Sequence, residues 1–204
     1  MTHYLRTRHD AILVGAGTAN ADNPGLNSRF ADADGVVGLE RQPRPVILDA
    51  HALWRPVRGG KVFELAEKGE GKAPWWIVGV EDGPENRHPD CDAAVRLVRE
   101  EFEGKVLETR GSKDWKEILG LLAAEGVRSV MIEGGGSVIN SLLESGNQKY
   151  VSSVVVTIAP TYLGKGGVTV SPNRTGSGNE ARLEELKWIP MGQDVVMAGR
   201  PRRL

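Results

Sequence analysis

Two stretches of the chain carry residues suited to holding phosphate and other polar groups. The first, AILVGAGTANADNPGLNSRF over residues 11–30, is an apolar run broken by Gly15 and Gly17 and closed by Asn23-Pro24, with Arg29 just beyond. Glycine lets backbone turn sharply or approach a ligand closely, and Thr18 and Asp22 add a hydroxyl and a carboxylate. The second, SVMIEGGGSVINSLLES over residues 129–145, reads as a buried strand at 130–132, a Gly134-Gly135-Gly136 turn, and a helix opening at Ser137 and Val138. A strand whose terminal glycines open a helix aims unpaired N–H groups and a positive helix end at one spot, which suits a phosphate. The spacing is not the dinucleotide G-x-G-x-x-G, and no Gly-Lys-Ser/Thr follows to make a P-loop. Glu133 precedes the glycines at the carboxyl end of a strand, where open α/β sheets place ligands. It either meets a polar substrate or a cation, or caps the helix behind it. For both clusters the bland alternative is a tight turn without a ligand.

The elements that must position these residues follow from apolar periodicity. Apolar runs recur at residues 11–14, 45–48, 75–80, 130–132 and 151–158. Residues 112–125 have helical spacing through Trp115, Ile118, Leu119 and Leu122, with Asp114 near the start and Gly126 past the end. This alternation predicts an α/β fold with a mainly parallel sheet and helices packed on it. Residues 150–158 and 194–198 have no clear helix between them and are expected to add antiparallel strands. Residues 31–44 and 66–73, rich in Gly, Asp, Glu and Lys, read as surface loops. Arg8 and Arg44 read as solvated charges.

Composition removes several function classes. Twenty-six basic against 27 acidic residues, in 204, leave a net charge of −1 with no electrostatic track for nucleic acid. No apolar stretch reaches membrane-helix length and the start lacks a secretory core, so a cytoplasmic location is expected. The single Cys91 excludes an internal disulfide or a Cys-x-x-Cys zinc site, and His3, His9, His51 and His88 show no metal-ligand spacing.

Taken together, the blocks MTHYLRTRHDAILVGAGTANADNPGLNSR, RPVILD, SVMIEGGGSVINSLL and TYLGKGGVTVSP resemble the riboflavin-pathway pyrimidine reductases. The likeness is to the stand-alone 2,5-diamino-6-ribosylamino-4(3H)-pyrimidinone 5′-phosphate reductases of the fungal and archaeal branch. It runs nearly end to end and implies one reductase domain over residues 1–204, with a dihydrofolate-reductase-like three-layer fold. That fold has a mainly parallel central sheet, helices on both faces and antiparallel C-terminal strands. The resemblance also implies NADPH as cofactor, reduction of a ribosylamino to a ribitylamino group on a phosphorylated pyrimidine, and a homodimer. By position it puts Thr18 and Asp22 against NADPH and gives its phosphates to Gly134, Gly135, Gly136, Ser137 and Val138. Arg6, Leu26, Arg29 and Glu133 then face the substrate, with Glu133 the candidate catalytic group favouring an iminium-like state at the reacting carbon. Arginine suits a sugar phosphate because its fork donates two charge-assisted hydrogen bonds at once.

Bacterial relatives fuse this module to a zinc deaminase, which one cysteine cannot supply. Family members also begin with a further segment holding a strand of the type T-L-T-x-A-Q-S-L-D, expected to line the nicotinamide, and this sequence starts beyond it. The residues 1–6 then look like the end of a helix. Two other outcomes are expected to compete with the reductase reading. One is a reductase of the same fold acting on another imine or carbonyl, and the other a truncated NADPH-binding or dimerisation module with little turnover.

Overall fold

The computed structural model describes residues 1–30, 38–79, 90–110, 114–162, 164–172 and 181–202. Val80, His88, Leu163, residues 31–37 of the first expected loop and residues 112–113 of the expected helix lie outside that set. The chain divides into two compact units, Met1–Gly135 and Gly136–Leu204.

The first unit is built on a five-stranded parallel sheet. Its strands are β1 (Ala11–Gly15), β2 (Arg44–Asp49), β3 (Trp75–Gly79), β4 (Lys105–Thr109) and β5 (Val130–Ile132), in spatial order β4-β3-β2-β1-β5. β1 and β3 are buried at every residue, and β2 at every residue but Arg44. Parallel strands covered on both faces read as unbroken apolar runs, which is why these three are plain in the sequence. The helices of this unit are α1 (Thr2–Arg6), α2 (Ala16–Asp22), α3 (Lys61–Glu67), α4 (Cys91–Arg96) and α5 (Trp115–Ala124). α5 starts where the Asp114 side chain accepts the backbone N–H groups of Lys116 and Glu117, at 2.9 and 3.2 Å. It buries Trp115, Ile118 and Leu122, and ends before Gly126 at φ +84°. Trp54, Phe63, Trp76 and Phe102 form a connected aromatic cluster, the closest pair being Phe63 and Phe102 with centroids 4.5 Å apart.

Four expectations need correction here. Residues 16–22, read as loop, form α2, because Ala16 and Ala19 are buried on one side of a single short helix. β5 is half-buried rather than buried, since among the described residues it is an edge strand paired to β1 alone. Ala66 and Glu67, read as loop, close α3. Arg44 is not a solvated charge: it is half-buried, donates to the Ala73 carbonyl at 2.7 Å, and lies 5.1 Å from the Trp75 ring centroid. β4 was not anticipated.

The second unit holds α6 (Gly136–Leu143) and an antiparallel sheet of β6 (Val154–Ile158), β7 (Leu183–Met191) and β8 (Asp194–Pro201), ordered β6-β8-β7. β7 and β8 meet at a tight turn through Gly192 at φ +67°. The strand expected at 151–158 begins at Val154, and the one expected at 194–198 runs on to Pro201. Asn140 of α6 donates to the Thr169 carbonyl at 2.9 Å, and a Cβ on Gly136 would collide with Val168. The segment around Val168 therefore packs on the start of α6 only because residue 136 is glycine.

The lower ends of β1 and β5 are tied by Asp10. Its carboxylate accepts the backbone N–H groups of Arg128 at 2.9 Å and Ser129 at 3.1 Å. The Arg128 N–H bond is the leading cause that holds the Asp10 carboxyl below the ordinary carboxylate value, aided by the Arg128 charge and by Ser129. A folded-state pKa that is depressed gives stability present above the unfolded value and lost as pH falls through the folded one. The stability advantage of the wild type over Asp10→Asn is therefore expected to be full above about pH 5 and to fade below about pH 4. Thermal unfolding of both proteins across that range checks this, and an advantage independent of pH contradicts it.

Candidate functional site

In the first unit, the parallel pairing of β1 with β5 sets Leu13 opposite Ile132, and Glu133 N–H extends the ladder to the Leu13 carbonyl at 3.0 Å. The first glycine cluster thus leaves β1 beside the second, which leaves β5. Gly134 and Gly135 both have left-handed backbones, φ +63° and +68°. A Cβ on Gly134 would stand 3.2 Å from Thr18 Cγ2, so the Thr18 side chain lies over the glycine. Thr18 and Asp22 are four residues apart on α2 and share one helix face. Asp22, at the C-terminal end of α2, is exposed. Gly136, Ser137 and Val138 open α6 in the second unit, where Gly136 and Val138 are half-buried and Ser137 is exposed.

The candidate substrate residues also meet. Arg6 faces Glu133 as a fork, Nε to Oε1 at 3.1 Å and NH2 to Oε2 at 2.7 Å, with side-chain exposures of 15% and 22%. Its NH1 donates to the Asn27 carbonyl at 2.8 Å. Three of five guanidinium N–H groups are thereby used, leaving two for a ligand. The Glu133 carboxylate is engaged by Arg6 through both of its oxygens. An acceptor held this way keeps lone pairs for a substrate hydroxyl or a cationic carbon, but the adjacent guanidinium offsets much of its field.

The loop that carries Arg29 is fixed from below. Gln42 reads both backbone groups of Ser28: its Oε1 accepts the N–H at 2.7 Å and its Nε2 donates to the carbonyl at 2.9 Å, all of it buried. Ser28 Oγ donates to the His3 carbonyl at 2.6 Å, which binds the loop to α1. Tyr4 and Phe30 add an edge-on ring contact at 5.3 Å. Leu26 is 2% exposed with φ +53°, so its side chain is part of the floor and Arg29 is the group presented outward. Sequence reasoning missed Gln42 and His3. The available signal for His3 was its place three residues before Arg6 on one short helix, which puts both on one side.

A cavity of about 500 Å³ in the same unit is lined by Asn20, Asn23, Leu53, Arg55 and Phe63 among others, and by none of the expected site residues. It lies beside α2, against the segment that Asp49 organises through the N–H groups of Leu53 and Trp54.

The sequence model of the RibD C-terminal domain family matches residues 1–197. The chain belongs to that family. This RibD C-terminal domain is 39% identical over 201 residues to the 2,5-diamino-6-ribosylamino-4(3H)-pyrimidinone 5′-phosphate reductase of Saccharomyces cerevisiae, covering 98% of the chain and 73% of the relative. It is 40% identical over 203 residues to the reductase of the same name from Eremothecium gossypii, covering 98% and 75%. Among solved structures, the riboflavin biosynthesis reductase Rib7 of S. cerevisiae superposes with a TM-score of 0.71 at 35% identity, over 99% of this chain and 79% of that one. A pyrimidine reductase-like protein of Corynebacterium diphtheriae shares the fold, with a TM-score of 0.68 at 23% identity over 100% and 80%. The RibD C-terminal domain thus has the dihydrofolate-reductase-like architecture that its sequence implied, with the parallel sheet and the C-terminal antiparallel strands in place.

Proposed function

We propose that this protein is the NADPH-dependent reductase that converts the ribosylamino group of 2,5-diamino-6-ribosylamino-4(3H)-pyrimidinone 5′-phosphate to the ribitylamino group in riboflavin biosynthesis. Residues 1–204 act as one reductase domain, in a cytoplasmic homodimer. The observation that supports this best is the arrangement in the first unit: the Arg6–Glu133 fork and exposed Arg29 on one side, and the Thr18–Gly134 contact on the other, all at the β1 and β5 ends. The relatives of nearly 40% identity favour this substrate over another imine or carbonyl, and over a binding module without turnover.

A family of reductases of this kind uses a nicotinamide cofactor, and we assign NADPH. The residues fit it: Gly134 and Gly135 have left-handed backbones, the Thr18 side chain lies over Gly134, and in the second unit α6 opens at Gly136 with N–H groups suited to a diphosphate. When bound, the nicotinamide supplies the hydride, and the protein supplies orientation and charge. Arg29 takes the substrate phosphate. Arg6 and Glu133 hold the opened sugar by its hydroxyls, and Glu133 offers a carboxylate to the reacting carbon. The His3 imidazole is turned to Arg29 with both ring nitrogens, so no side chain of this cluster is placed as the proton donor and solvent delivers the proton.

Arg29→Ala is expected to raise KM for the pyrimidine substrate about 10- to 100-fold, the scale of a lost charge-assisted bond pair. NADPH binding should stay within threefold of wild type, on the order of measurement scatter. Steady-state oxidation of NADPH, measured beside a direct NADPH titration, tests both assignments. Weakened NADPH binding with an unchanged substrate KM reverses them, and no oxidation by the wild type with this substrate removes the reading.

A further inference from the structure

The His3 imidazole touches Arg29 through both ring nitrogens. Nδ1 lies 3.1 Å from the Arg29 backbone nitrogen, and Nε2 lies 3.4 and 3.2 Å from Nε and NH2 of its guanidinium. Backbone N–H and guanidinium are donors in every state, whereas a neutral imidazole has one nitrogen lone pair to give. One of the two contacts therefore sets donor against donor. In the tautomer in which Nδ1 accepts the backbone N–H at 3.1 Å, Nε2 carries the ring proton. Nε2–H then stands beside the guanidinium, donor against donor. Both groups belong to a rim that is partly open to solvent: Arg29 is exposed and His3 half-buried. The charges facing the ring are Arg6, Arg29 and Glu133, with the Asn27 carbonyl close by. Burial, then Arg6 and Arg29, hold the imidazole below its ordinary value, so it is a neutral donor at physiological pH.

We propose that His3 Nε2–H and the Arg29 guanidinium form one seat for a phosphate monoester, making His3 a substrate-binding residue in its own right. An oxyanion between them accepts from both and turns an unfavourable contact into two hydrogen bonds. Arg29 supplies the charge. His3 adds a directed donor on the side the guanidinium does not cover, and Gln42 and Ser28 hold the loop so that the two converge. This rests on the reading that the substrate phosphate sits at Arg29, and the test separates the two ideas.

The four histidine ring signals of the full chain are followed by NMR across pH, with and without inorganic phosphate. Phosphate is expected to raise the His3 pKa by about one unit, because a nearby anion favours the charged ring, and to leave His9, His51 and His88 in place. Arg29→Ala should abolish that movement at the same phosphate concentration. In turnover, His3→Phe is expected to raise the substrate KM about tenfold, and His3→Gln, which keeps an N–H donor, distinctly less. A His3 signal that does not move at phosphate concentrations that inhibit turnover overturns the proposal in the wild-type protein, whatever the variants do. If Arg29→Ala raises KM while His3 is silent, the substrate reading stands and the shared seat falls. If phosphate moves His3 but Arg29→Ala leaves KM unchanged, the seat stands and the substrate phosphate lies elsewhere.

Discussion

Glu133→Gln is expected to lower kcat/KM for the pyrimidine substrate by at least about 30-fold, with little change in NADPH binding. Truncating a charged group that hydrogen-bonds the substrate in a partly desolvated site costs about 2–5 kcal/mol of binding, mostly because the group facing it is left unpaired. The Arg6–Glu133 fork keeps 15% and 22% of its side-chain surface exposed, so water compensates in part and the lower end applies. Two kcal/mol is about 30-fold. Glutamine fills the same space and retains one acceptor oxygen, so the loss reports charge and fork geometry, not packing. Arg6→Lys provides the complementary change: it keeps the charge but has a single ammonium where two parallel N–H groups met the carboxylate. If the pair works as a unit, the double variant should lose little more than either single one, the mark of coupled residues. Additive losses would mean that Arg6 and Glu133 act on separate parts of the substrate. A kcat/KM within threefold of wild type in a folded Glu133→Gln protein, a change of under about 1 kcal/mol, would show that the carboxylate is structural only.

That pair shows what the sequence holds and what it withholds. Arg6 and Glu133 are separated by 127 positions, so no local spacing joins them, and only the shared likeness to a family singled out both. The structure supplies the bond between them, and with it the limit on what Glu133 does to a cationic carbon. β1, β2 and β3 were legible because parallel strands covered on both faces leave continuous apolar runs. β4, KVLET, was not, because only Val106 and Thr109 are buried in it. β7, LEELKWIPM, has helix-forming residues at its start and almost no burial, and only its pairing with β8 makes it a strand. α2 was misread because its small and polar residues carry no apolar stripe. Once it is helical, Thr18 and Asp22 fall on one face. Arg44 looked solvated since nothing in sequence announces that a charge will stack on a tryptophan of the neighbouring strand. His3 has no metal-ligand spacing in the sequence, and its place follows from the side of the short α1 that it shares with Arg6.

Gly135→Asp is expected to weaken NADPH binding by more than about 100-fold, and two separate effects must be told apart to interpret it. Gly135 has φ +68°, a left-handed backbone that costs a residue with a Cβ about 1–2 kcal/mol. Aspartate also brings a negative charge to the place assigned to a diphosphate, where like charges repel by several kcal/mol at short range in a partly desolvated site. Asparagine has nearly the same size and is among the few residues that enter the left-handed region readily, so Gly135→Asn carries the steric change without the charge. The phosphate assignment requires aspartate to be much worse than asparagine, by at least about tenfold in Kd, and the gap to narrow as salt is raised from low to physiological ionic strength. Direct NADPH titrations of both variants, with unfolding curves to confirm that each is folded, measure this. Equal losses in the two variants would assign the effect to backbone strain alone, and unchanged affinity in both would place the diphosphate away from the second glycine cluster.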